Sequence, residues 1–301
     1  MMFKKICIIG CGLIGSSIAR AVKKNNLSEK VVSSNRSAET NKKVIELKIV
    51  DESSSETEKM VSNSDLTIIA TPLSSYESVI LKIKSSLKIG SIITDVGSVK
   101  GGILNLIENH VPENVSWIPS HPIAGTEESG PEAGFSELFK NRWCILTPSK
   151  KAKEKDVNLL KVFWEKIGSK VDIMEAKKHD HILAITSHMP HLIAYNIVTT
   201  SLNIQDEKKS EIVKYSASGL RDFTRIAASN PIMWRDIFIQ NKKNTSELIN
   251  KFISNLVELK KAIENEDGKK LEEIFSKTKK IRKDILDAGQ DVNKPDFGRK
   301  Q

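Results

Sequence analysis

The chain has 301 residues, 39% of them apolar and 28% charged, with a formal net charge of +9. That length supports about two domains with sizeable cores, and no apolar run approaches the roughly 18 residues of a membrane span. Three cysteines, Cys7, Cys11 and Cys144, show neither framework nor metal-ligand spacing, which excludes a disulfide scaffold and fits a reducing, cytoplasmic setting.

The positive balance admits an anionic partner. The lysines, however, are interleaved with Glu and Asp, as in Lys150–Asp156 and Lys269–Lys283, and no basic stripe alternates with aromatics. This is the pattern of a solvated surface and predicts no nucleic-acid partner.

Lys5–Ile9 reads as a short apolar strand, followed by Gly10, Gly12 and Gly15 in a G-x-G-x-x-G pattern and then a helix opened by Leu13 and Ile14. A dinucleotide-binding turn requires that order. The first glycine permits the tight turn, the second lets a pyrophosphate approach the backbone, and the third lets helix and strand pack closely. The free N–H groups and positive end of the helix then face the phosphates. A secretory leader, suggested by Lys4 and Lys5, is opposed by the glycines and serines that interrupt the apolar run.

Further strands are predicted at Val31–Ser33, Leu66–Ala70, Ser91–Thr94, Val115–Ile118, Trp143–Thr147 and Val171–Ile173. The gaps between the first of them leave room for crossover helices, the βαβ signature of a mostly parallel sheet. Ala70-Thr71-Pro72 and Asp95-Val96-Gly97-Ser98 follow strand ends, where such sheets bind ligands, so Thr71 and Pro72 are expected at the cofactor. An NAD-selective second strand ends in Asp or Glu. Here Asn35, Arg36 and Ser37 occupy that turn. A guanidinium with hydroxyl and amide donors suits a 2′-phosphate, so NADP is expected over NAD; otherwise Arg36 stacks on adenine or faces solvent with NAD bound.

Ser120–Glu127 reads as a polar, Gly-containing loop opening to the crevice, with His121 as a candidate general base. The competing reading is a structural histidine beside Pro122.

From about Glu175 the texture becomes helical, over Ile182–Val198, Ile212–Ala228, Ile232–Ile263 and Leu271–Leu286, with 290–301 a loose tail. The expected organisation is an α/β Rossmann-type domain over 1–175 and an all-α domain over 176–289. His179-Asp180-His181 and Ser187-His188-Met189-Pro190-His191 concentrate four of the six histidines in one segment. On a helix His181, His188 and His191 share roughly one face, yet no Glu joins them as a compact ligand set and neither an H-E-x-x-H nor a Cys-containing pattern is present, so no metal is expected. They can instead face an anionic ligand. In Ser218–Ala227, Arg221, Asp222 and Arg225 lie on one face, as either a surface ion-pair ladder or a carboxylate clamp.

Gly10–Ser17, Ala70-Thr71-Pro72, Asp95–Lys100, Ser120–Glu127, His179–His191, Gly219–Ala227 and Pro231–Trp234 together make the chain resemble the prephenate/arogenate (cyclohexadienyl) dehydrogenase family of tyrosine biosynthesis. The resemblance implies a nucleotide-binding domain followed by a helical dimerisation domain, hence a homodimer with a small-molecule substrate and the active site between the domains. It implies the bare catalytic core, with no chorismate-mutase segment ahead of residue 1 and no regulatory domain after 290. The reaction implied is NAD(P)-dependent oxidative decarboxylation of prephenate, arogenate or both. His121 would take the ring-hydroxyl proton and Ser98 would orient that hydroxyl or the nicotinamide. Arg225 would hold a substrate carboxylate, with Arg221, Asp222, Glu127, His179 and Asp180 shaping a polar gate around it. His191, toward the cofactor, and Trp234, toward the substrate, would line the site. The rival readings are a β-hydroxyacid dehydrogenase, which would use a helical-domain lysine, and a non-catalytic nicotinamide-binding regulator.

Overall fold

The computed structural model describes residues 1–126, 128–202 and 214–287. The apolar run at the start becomes β1 (Phe3–Ile9), with Ile6 to Ile9 buried without interruption. Continuous burial marks a strand covered on both faces, as in a parallel sheet. Around it α1 (Leu13–Lys24), β2 (Ser28–Ser34), α2 (Ala38–Glu46), β3 (Glu52–Ser54), α3 (Thr57–Val61), β4 (Leu66–Ile69), α4 (Tyr76–Ile83), β5 (Ile92–Asp95), α5 (Gly101–Glu108) and β6 (Ser116–Trp117) follow in order. The strands form one sheet in the order β3-β2-β1-β4-β5-β6, with each neighbouring pair parallel. The order reverses between β1 and β4, and the crevice outside their carboxyl ends is where such sheets take ligands. β3, Glu-Ser-Ser, carries no apolar periodicity and is a strand only because β2 pairs with it.

A second, three-stranded sheet contains β7 (Ser120–Pro122), β8 (Trp143–Leu146) and β9 (Lys170–Ile173), β7 antiparallel and β9 parallel to β8. The expected loop at His121 is therefore a strand, with His121 paired to Ile145. Three residues are too few to show a period of two, and the strand is defined by its partner. Behind it α6 (Glu154–Lys166) buries Leu160, Phe163 and Trp164, and Phe163 meets Phe3 edge-to-face at 6.0 Å.

The helical part comprises α7 (Ala176–Leu183), a wide π turn at Ala184–His188, α8 (Met189–Leu202), α9 (Ser218–Ala227), α10 (Pro231–Gln240), α11 (Lys242–Glu264) and α12 (Gly268–Asp287). Pro190 lacks an N–H, so a regular helix cannot run through this point without losing a bond, and the preceding turn widens. The single helix expected over Ile232–Ile263 breaks at Asn241, for a reason that belongs to the site. Asn230 caps α10, its side chain accepting from Met233 N–H, with Pro231 in the first turn. The chain divides into compact units at 1–245 and 246–301, so β1 to α10 share the first. In the second, Ile253, Phe275 and Ile281 are each more than half exposed. Among the described residues no helix is long and apolar enough to cross a membrane. The expected tail, 290–301, lies outside the described residues.

Candidate active site

At the switch point the three glycines do three different things. Gly10 has φ +93°, and a Cβ there would lie 2.7 Å from the Ala70 carbonyl oxygen, so the turn after β1 is pressed against the end of β4. At Gly15 a Cβ would lie 2.1 Å from the Gly10 carbonyl. At Gly12 a Cβ would meet nothing within 4 Å. Gly12 is also the N-cap of α1 and provides no side-chain cap, leaving first-turn N–H groups for a ligand. Leu13 and Ile14 open the helix, half-buried against the core. Thr71 Oγ1 accepts from Ser75 Oγ at 2.8 Å, holding the facing turn, whose Pro72 is exposed. An open cradle at Gly12, at the head of an uncapped helix and at the switch point, fits a pyrophosphate.

Asn35 is expected to contact the cofactor, and the structure uses it otherwise. Its Oδ1 accepts from Cys11 N–H at 2.6 Å, and its Nδ2 donates to Ser33 Oγ and Asn41 Oδ1 at 3.2 and 3.0 Å. With its side-chain amide engaged inside the turn, Asn35 shapes the loop and its side chain has no spare donor for a 2′-phosphate. Arg36 and Ser37 are exposed beside it, and Ser37 caps α2.

Between β5 and α5 lies a buried charge network. Asp95 Oδ2 accepts from Gly97 N–H at 2.8 Å and from Lys100 Nζ at 2.6 Å. Lys100 Nζ also donates to the Ser120 carbonyl at 2.7 Å, fixing the residue before His121. Lys100 and Asp95 are both inaccessible. Burial lowers the lysine pKa and Asp95 opposes that shift. Ser98 stands half-buried in the same turn.

His121 is 7% exposed. Burial, the largest cause, with the ammonium of Lys100 adding to it, holds its pKa well below the ordinary value, so it is neutral at working pH. Its Nδ1 lies 2.9 Å from His179 Nε2, and His179 Nδ1 lies 2.9 Å from Asp180 Oδ1. Asp180 in turn accepts from the Lys100 and Gly101 N–H groups at 2.8 and 2.7 Å, capping α5. His179 and Asp180, expected in a polar gate, are instead buried behind His121. His188 is fully buried too, its Nδ1 3.1 Å from Asn241 Nδ2, which also donates to the Asp180 carbonyl at 2.8 Å. Those two bonds are why the chain turns at Asn241. The π turn buries His188 while His181 stays exposed, so the expected shared face of His181, His188 and His191 does not form. Among the described residues no group of His, Cys, Asp and Glu is placed to hold a metal ion.

His191 stacks on Trp234 with ring centroids 3.7 Å apart, and Trp234 also meets His188 edge-on at 6.1 Å. Trp234 is 5% exposed and forms the floor under His191. Burial lowers His191, and the nearby Arg225 charge lowers it further. Arg225 and Arg221 are exposed on α9, with Asp222 half-buried between them, and α9 packs on α8. Asp236 accepts from Ser74 N–H at 3.2 Å, tying α10 to the turn after β4. Glu127 lies outside the described residues. Sequence reasoning missed Lys100, Asp95 and Asn241 as site-builders. Asp95 and Lys100 were visible in the motif, but burial of their charges cannot be read from spacing.

The sequence pattern of the prephenate dehydrogenase nucleotide-binding domain matches residues 18–173, and that of the prephenate dehydrogenase dimerisation domain matches 175–277. The chain belongs to the prephenate dehydrogenase family. Within it, a cyclohexadienyl dehydrogenase of Zymomonas mobilis is 37% identical over 93% of this chain and 96% of its own. A prephenate dehydrogenase of Bacillus subtilis is 32% identical over 92% of this chain and 75% of its own. A crystal structure of the A. aeolicus prephenate dehydrogenase, in complex with hydroxyphenyl propionate and NAD+, superposes with a TM-score of 0.88 at 33% identity, covering 95% of this chain and 99% of that one.

Proposed function

We propose that this chain is the nicotinamide-dependent dehydrogenase that oxidatively decarboxylates a cyclohexadienyl acid, prephenate, arogenate or both, in tyrosine biosynthesis. The observation that carries the reading is a neutral, buried His121 whose Nδ1 is engaged and whose Nε2 holds no hydrogen bond among the described residues, in the same compact unit as the open cradle at Gly12. Gly10, Gly12 and Gly15, bordered by Thr71 and Pro72, would hold the pyrophosphate of a nicotinamide dinucleotide, whose ring would supply the two-electron acceptor. His121 Nε2 takes the ring-hydroxyl proton as the carbinol carbon is oxidised. Ser98 orients that hydroxyl. The ring carboxylate leaves as carbon dioxide, its bonding electrons entering the ring as it aromatises.

Arg225 is the carboxylate clamp, because its fork matches a carboxylate bidentately and its charge reaches His191. Arg221 and Asp222 flank it. Exposed Arg36 and Ser37, with no acid ending β2, favour NADP over NAD. Exposed Ile253, Phe275 and Ile281 suit burial between two copies, supporting a homodimer, and free buried thiols at Cys7, Cys11 and Cys144 suit the cytoplasm. Following reduced-cofactor absorbance with prephenate and arogenate, each with NAD and NADP, tests the reading. Turnover is expected with at least one substrate and faster with NADP. Silence in all four mixtures rejects the activity, and faster turnover with NAD rejects the cofactor preference.

A further inference from the structure

We propose that His179 and Asp180 are positioning residues that fix the proton of His121 on Nδ1 and so leave Nε2 bare as the proton acceptor. The proposal rests on the reading of His121 as general base. The geometry gives each step one choice. Both Asp180 oxygens already accept backbone N–H donors, from Lys100 and Gly101, so the carboxylate also accepts from His179 Nδ1 at 2.9 Å. A neutral imidazole has one donor and one acceptor nitrogen. With its Nδ1 donating, His179 accepts at Nε2, and the contact there is His121 Nδ1 at 2.9 Å. His121 Nδ1 therefore carries the hydrogen and Nε2 the lone pair.

The order would reverse if His179 were charged, since both its nitrogens would donate and His121 would present an Nε2–H to the substrate. Burial of His179, with Lys100 adding to it, favours the neutral form against Asp180. Asp180 is anchored at the N-terminus of α5 by two backbone N–H donors, which hold its carboxylate in place. When His121 accepts the hydroxyl proton at Nε2, no atom need move: the Nδ1–H bond to His179 strengthens and the carboxylate beyond it offsets the new charge. Among the described residues the titratable groups facing His121 are His179 from α7, His188 from the π turn, Asp95 from the end of β5, Lys100 from the turn after it, and Cys144 from β8. Of these, His179 alone touches its ring nitrogen.

Long-range proton–nitrogen NMR of the ring nitrogens reads the tautomer without cofactor. His121 is expected as the Nδ1–H form in the parent and as a mixture or the Nε2–H form in His179→Leu. Loss of the orienting partner in such chains costs up to about 10⁴ in rate, so kcat of His179→Leu should fall about 10²- to 10⁴-fold while the substrate KM stays within about threefold. The acid limb of kcat/KM should move to lower pH, because the protonated form of His121 loses its acceptor. His179→Gln, whose amide oxygen can accept from Nδ1–H, should recover about tenfold or more over Leu. An Nε2–H tautomer in the parent overturns the proposal. So do equal losses in the Leu and Gln variants with an unmoved acid limb, which mark a merely structural role. His121→Asn separates the two readings. If it keeps activity, the general-base assignment falls and the relay with it; if it is inactive while His179→Leu retains parent kcat and acid limb, only the relay falls.

Discussion

A histidine set beside a buried lysine resists protonation, because the charged form would lose its hydration and meet a like charge. That is the situation of His121, and it makes a neutral base from a residue type whose ordinary pKa lies near working pH. The sequence marked His121 by its company in a family motif; its neutrality rests first on burial, to which Lys100, 21 positions away with its ammonium aimed at Asp95 and Ser120, adds a like charge. Arg225 has the opposite character: it is exposed, and as the proposed clamp it would be ordered by its ligand. A charge-assisted contact is worth about 1.5–3 kcal/mol, so Arg225→Ala should raise the substrate KM by roughly tenfold or more with kcat changed far less. Steady-state kinetics over a wide substrate range measures this, and an unchanged KM rejects the clamp.

At the scale of elements, the β1–turn–α1 unit separates folding from binding within five residues. Gly15→Ala places a methyl 2.1 Å from the Gly10 carbonyl, and overpacking of this kind costs about 1–3 kcal/mol. Gly12→Ala meets no atom within 4 Å and should leave the urea midpoint near that of the parent. It should nevertheless weaken cofactor binding by about tenfold or more, since the methyl occupies the space where the pyrophosphate must come close to the backbone. Denaturation paired with fluorescence titration of reduced cofactor checks both variants, and the opposite ranking would mean that Gly12 is the structural glycine. This unit was legible in the sequence because strand, turn and helix are adjacent in the chain. The strand at Ser120–Pro122 and the break at Asn241 were not, since each is made by a partner distant in sequence.

Across the whole molecule, the buried histidines link stability to pH. Unfolded, His188 titrates near 6.5; folded, burial pushes it down to about 4. Between those values the unfolded chain holds one more proton, so stability rises with pH across the window and is lost as pH falls through it. The span of about 2.5 units corresponds to about 3 kcal/mol, and His121 and His179, both lowered, act in the same direction. The urea midpoint should therefore drop markedly from pH 7 to pH 4.5. His188→Asn, which cannot titrate, should show a shallower decline, and an identical decline would remove His188 from the account.

The sequence by itself determined the nucleotide-binding half and its glycine cradle, because hydrophobic period and turn chemistry act between neighbours in the chain. It also determined the family, whose motifs survive as short local runs. Only the tertiary structure decided which of four clustered histidines touch His121, that Asp180 is buried and caps α5, and that Asn35 is bonded within its own turn. The bonds that make those choices join residues 58, 80 and 24 positions apart. Whether such a bond forms depends on which side of a helix is buried, and for His188 the widened turn before Pro190 set that side.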